Sequence, residues 1–159
     1  YEMHRKLQKY VKDLNMLYRS EKALYELDFS KEGFEWIDCS DADHGVVSFI
    51  RRGRNKEDVL IFVCNFTPVI YFNYRIGVPY NVSYREILNS DSKIYGGNNI
   101  GNMGELHAEE IGFHNRPYSF TLTIPALSTL IFKPVFEKEN EGCQSAGKKN
   151  KKRNSPKIY

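Results

Sequence analysis

Leu7, Val11, Leu14 and Tyr18, joined by Tyr10 and Leu17, recur at three- and four-residue steps near the start of the chain. Arg5, Lys6, Lys9, Lys12 and Asp13 occupy the positions between them. This spacing predicts an amphipathic helix, with one apolar stripe and one solvated face. A single helix cannot bury such a stripe on itself, so it must dock on the rest of the chain or on something beyond it. Ser20 is suited to cap a short second helix over Glu21–Leu27, where Glu21 would meet the positive end of the dipole. Asp28 to Gly33 carries polar turn formers without periodicity and reads as a connector.

From Phe34 onward the period changes from helical to two. In Tyr118–Ile124, the residues Phe120, Leu122 and Ile124 alternate with Ser119, Thr121 and Thr123, the pattern of a half-buried strand. Further strands are predicted at Phe34–Cys39, Val46–Arg51, Val59–Phe66, Ile70–Ile76, Tyr84–Leu88 and Ser128–Lys133. Val59–Cys64 is apolar throughout, as a central strand covered on both sides would be. Turn-forming clusters separate these segments at Ser40–Gly45, Gly53–Asn55 and Gly96–Gly104. Short strands at this spacing predict a mainly β fold, an antiparallel β-sandwich preceded by a helical segment. The pattern divides the chain into residues 1–33, helix and connector, 34–135, the sandwich, and 136–159, a basic tail expected to be disordered.

Composition changes this picture little. Of 159 residues, 41% are hydrophobic and 27% charged, which suits a packed domain rather than a disordered one. The net charge of +3 misleads, because residues 136–159 hold seven Lys or Arg against three Glu. The body before them is near neutral, which argues against a nucleic-acid partner. No apolar run approaches a membrane span. Cys39, Cys64 and Cys143 make an odd set without paired spacing; Cys39 and Cys64 fall in apolar strand patterns and are expected to be buried thiols. A reducing, cytoplasmic compartment is the expectation.

Several constellations imitate functional sites. The glycine-rich loop Gly96–Gly104 lacks the Lys-Ser/Thr pair and the following helix of a phosphate cradle, and reads as a sandwich loop. His107, Glu110 and His114 have a loose spacing without a helix to gather them, so no metal site is assigned. Asp41, Asp43 and Gly45 resemble part of a calcium loop but lack its later Glu, and fit a hairpin turn better. Glu109 and Glu110 are adjacent on a loop, whereas glycoside chemistry needs two carboxyls facing one bond. No catalytic residue is assigned on this chain.

Leu14–Asp38 (LNMLYRSEKALYELDFSKEGFEWID), Asn65–Val69 (NFTPV) and Tyr84–Gly97 (YREILNSDSKIYGG) carry a resemblance to a known family. In that order and density they resemble the C-terminal end of bacterial 1,4-α-glucan (glycogen) branching enzymes, from about Met3 to Pro134. The resemblance implies that Met3–Arg19 is the last helix of a catalytic (β/α) barrel and that the sandwich is the domain after it. The chain is then expected to be part of a longer one, with the catalytic carboxylates upstream. Such enzymes work without metal or cofactor, cut an α-1,4-glucan and rejoin the piece through an α-1,6 bond. The implied partners are α-glucan chains and the missing barrel, with Leu7, Val11, Leu14 and Tyr18 docking on that barrel. Trp36, the single tryptophan, shares a strand face with Phe34. It is either a junction anchor or a platform on which a glucose ring stacks, and both hold if one indole face stays open. The rival expectation is a stand-alone carbohydrate-binding or structural sandwich, with several exposed aromatics on one sheet face and no unmatched helix stripe.

Overall fold

The computed structural model describes residues 1–136; the tail expected at 136–159 lies outside them except for Phe136, whose ring packs against Tyr80. Helix α1 spans Glu2–Ser20, as its periodicity requires, and i,i+4 pairs Lys6–Glu2 and Lys9–Asp13 lace its polar side. The second helix does not form. Ser20 closes α1 by donating its hydroxyl to the Leu17 carbonyl, and only a 3-10 turn at Lys22–Leu24 follows. Tertiary packing decides this, because Ala23 is buried against the sandwich and fixes the chain there before a helix can propagate.

Eight strands follow: β1 Phe34–Asp38, β2 Val46–Arg52, β3 Val59–Asn65, β4 Tyr71–Val78, β5 Ser83–Asn89, β6 Glu105–His107, β7 Tyr118–Ile124 and β8 Ser128–Val135. The short β6 escapes the sequence pattern, since three residues are too few to display a period. All pairs are antiparallel. Six strands form one sheet in the order β1-β2-β3-β8-β5-β6, and β4 and β7 pair as a second. Cys39 falls just past β1 and is exposed, contrary to the buried thiol expected; Cys64 is half-buried on β3.

The main core lies between the sheets. Ile37, Val46, Ile50, Ile61, Val63 and Phe132 of the large sheet meet Ile76, Val78, Phe120, Leu122 and Ile124 of the small one. Tyr84 is fully buried among them and donates its hydroxyl to the Tyr80 carbonyl at 3.0 Å, so its polar end is satisfied. A second cluster lies on the opposite face of the large sheet. There Leu60, Leu88 and Ile131 pack against Ala23, and Tyr10, Leu14 and Leu17 of α1 cover them. That cover explains the uninterrupted apolar run of β3, which is buried on both faces. Tyr95 anchors the helix further, its ring 4.9 Å from Tyr10 and its hydroxyl donating to Asp13 at 2.8 Å. Burial, with the Asp13 carboxylate beside it, pushes the Tyr95 hydroxyl up to about 12.

Candidate functional site

The strand alternation of β1 sends Ile37 into the core and leaves Phe34 and Trp36 on the outer face of the large sheet. Register then builds an aromatic ladder. Trp36 pairs with Phe49, and Phe49 with Phe62. Phe49 and Phe62 stack almost parallel at 4.8 Å, Phe34 stacks on Phe49 at 5.2 Å, and Trp36 meets Phe49 edge-on at 5.8 Å. The rings below hold the indole in place, yet Trp36 remains 50% exposed. Ring contacts on Phe34 and Phe49 together with this exposure are compatible with both readings of the sequence.

A residue that sequence reasoning missed fixes this edge. Arg116, nearly buried, donates to the Glu35 carboxylate and to the Trp36 carbonyl, the latter at 3.2 Å. Arg52 closes on the same Glu35 at 2.7 Å. Arg116 lies 80 residues from Trp36, in a tight hairpin with Phe113, so no local signal could have revealed the contact.

The helix stripe divides. Leu14 turns toward the sandwich and joins the second cluster, so it leaves the set expected to face a barrel. Leu7, Val11 and Tyr18 stay 59%, 49% and 51% exposed. Tyr18 lies beside Tyr25, at 6.1 Å between ring centres.

The imitative motifs resolve into structure. His107 bonds Ser83 at 2.7 Å, Glu110 accepts from Asn81 at 3.0 Å, and His114 faces Asp38 at 3.5 Å, so the three go to three different partners. Among the described residues no group of three metal-ligating side chains comes together. In the glycine-rich loop the amides of Asn98 and Ile100 donate to the Asp91 carboxylate, each at 3.0 Å, and that of Asn99 to its carbonyl at 2.7 Å. The loop is wound around its own aspartate, which uses the donors an anion would need. Asp41 accepts from the Tyr74 hydroxyl and from His44, as a turn aspartate does.

The residues from Trp36 to Val135 match the family described as alpha amylase, C-terminal all-beta domain. The chain belongs to that family. Among curated relatives it is 52% identical over 138 residues to the 1,4-alpha-glucan branching enzyme GlgB of Nostoc, a match covering 87% of this chain and 18% of the relative. It is 54% identical over 131 residues to the GlgB of Synechococcus elongatus, covering 82% and 17% respectively. With the GlgB of Aquifex aeolicus it shares 48% over 133 residues, covering 84% and 21%. The chain thus spans about a fifth of the length of the curated relatives it matches. Membership in this family agrees with the all-β architecture, and the matched segment takes in the sandwich from Trp36 onward, with Trp36, Phe49 and Phe62 of the ladder. Among the described residues no helix is long and apolar enough to cross a membrane.

Proposed function

We propose that this chain is the non-catalytic C-terminal portion of a glycogen branching enzyme. The parent cleaves an α-1,4-glucan and transfers the released segment to form an α-1,6 branch. The sandwich braces the barrel through the outward side of α1, with Leu7, Val11 and Tyr18 as the docking residues, and Trp36 and Phe34 help orient glucan chains. One observation carries the reading: nearly half or more of the residues are identical to branching enzymes over 133 to 138 residues, more than four fifths of the chain. The helix supports it physically, because leaving an aliphatic side chain in water forgoes roughly 1.5–3 kcal/mol of burial. A stand-alone carbohydrate-binding sandwich accounts for the exposed Phe34 and Trp36 but gives no reason for the outward apolar side of α1.

The chain by itself is expected to be inactive, since bond cleavage needs a nucleophilic carboxylate and an acid partner across the scissile bond. Incubation of the purified chain with amylose should yield no new α-1,6 linkages. Turnover that co-purifies with the chain and withstands repeated purification would place catalysis on these residues and sink the proposal.

A further inference from the structure

A second polar and aromatic feature lies at the open edge where β1 approaches β4, apart from the Trp36 ladder. It is a pocket of about 350 Å³ lined by Asp41, His44, Tyr71, Phe72, Asn73 and His114, among others. That volume sits at the low end of the roughly 300–1,000 Å³ typical of small-molecule sites.

A β-bulge builds its mouth. Tyr71 pairs with Ile124 and Tyr74 with Leu122, so β4 carries one residue more than β7 between those pairs. Asn73 absorbs the extra residue with a positive φ of 55°, a conformation that asparagine tolerates better than most side chains. The bulge releases Phe72 and Asn73 from the ladder and leaves both exposed, Phe72 by 68%.

The polar groups of the floor are bonded to one another. The His44 ring stands edge-on to Tyr71 and Tyr74, with centres 5.0 and 5.9 Å away. Its Nδ1 is tied to Asp41 at 2.8 Å, and the side chain is half-exposed, with no hydrogen bond to Nε2 among the described residues. Asp41 also accepts from Tyr74 at 2.5 Å, and Tyr71 donates to the His44 carbonyl at 2.9 Å. Burial works against ionisation of Asp41, but the Tyr74 and His44 hydrogen bonds outweigh it and hold the carboxyl below its usual range. Arg75, the cation on the rim, is committed to Glu109 and the Ser119 hydroxyl, both at 2.7 Å. An ionised Asp41 repels anions, and its oxygens are already engaged by the Tyr74 hydroxyl and the His44 ring. What the pocket offers a ligand is an exposed ring, an imidazole and a side-chain amide: an apolar face beside hydrogen-bonding groups.

We propose that this pocket is a second subsite for a neutral pyranose, a glucosyl unit of an α-glucan, stacked on Phe72 and hydrogen-bonded by Asn73 and His44. The inference rests on the glucan-orienting role given above and assigns it a second, separate place.

The test is titration of the nitrogen-15-labelled full chain with maltoheptaose in the millimolar range, followed by amide and indole N–H resonances. Saturable shifts are expected at His44, Phe72 and Asn73 as well as at the Trp36 indole. Phe72→Ala and Asn73→Gly should each weaken the pocket response about fivefold or more while leaving the Trp36 response intact. Neither change threatens folding, because Phe72 is exposed and glycine adopts the φ of Asn73 without strain. Shifts confined to Trp36 would overturn the pocket and leave the glucan-orienting role standing. Pocket shifts indifferent to both variants would also overturn it, and silence at both places would remove the glucan role altogether.

Discussion

One row of side chains crosses the large sheet, from Trp36 on β1 through Phe49, Phe62 and Ile131 to Leu88 on β5. Its two ends have opposite fates. Ile131 and Leu88 lie beneath α1 and are almost inaccessible to water, whereas Trp36 is half open. The residues are comparably apolar and share one face, so hydrophobicity alone does not separate them. The difference is the cover: α1 lies across the β3-β8-β5 side, the Lys22–Leu24 turn reaches β2 at Arg51, and Trp36 at the far end stays half open. Buried area at one end of the row therefore serves stability, and exposed area at the other end is available for contact.

Substitution at the two ends should expose that division most strongly. Ile131→Ala is expected to cost about 2–5 kcal/mol, the range for deleting a buried aliphatic side chain. Trp36→Ala should cost about 1 kcal/mol, the worth of its edge-on ring contacts, despite removing a larger side chain. Thermal unfolding checks the pair, at roughly 2–4 °C per kcal/mol for a chain of this size. Equal losses would mean that Trp36 is packed as tightly as the covered end.

The same contrast exists around α1. Leu14→Glu places a carboxylate against the second cluster and should destabilise by about 1–3 kcal/mol. Val11→Glu, one turn away but turned outward, should stay within about 0.5 kcal/mol. It should instead lower binding of a hydrophobic dye, if the outward side is the surface proposed to meet the barrel. Denaturant titration and dye fluorescence on the two variants would separate the sides, and a reversed order would mean the helix docks by its other face.

The smallest effect sharpens the open edge. His114 sits beside Asp38 at the end of β1, in a hairpin where its φ is 49°. Burial, helped by Arg116 and opposed by Asp38, lowers its pKa below the ordinary 6.5 in the folded protein. The unfolded chain then takes up a proton first as pH falls, so stability present above about 6.5 is withdrawn as pH drops toward the folded value. His114→Asn keeps the positive φ and removes the titration, and its melting temperature should fall less steeply than the parent's between about pH 7 and 5. Asp38 and Asp41, both held below the usual carboxylate range, act in a separate and more acidic window. A slope unchanged by His114→Asn would assign the dependence to other groups.

Much of this was legible along the chain. The alternation in Tyr118–Ile124 determined a strand with those bounds, the period of Leu7, Tyr10, Leu14 and Leu17 determined a helix, and the blocks around Trp36, Asn65 and Tyr84 determined the family. Periodicity speaks for these because each residue's side-chain direction follows from the local backbone period alone. Which half of a stripe is covered is not a local property. The division of the helix between Leu14 and Val11, the three-residue β6, the bulge that frees Phe72, and the clamp of Arg116 on Trp36 all depend on residues distant in sequence. Only the tertiary structure decided them, because burial is conferred by whatever packs opposite, and the chain names its own side of a contact but not the other.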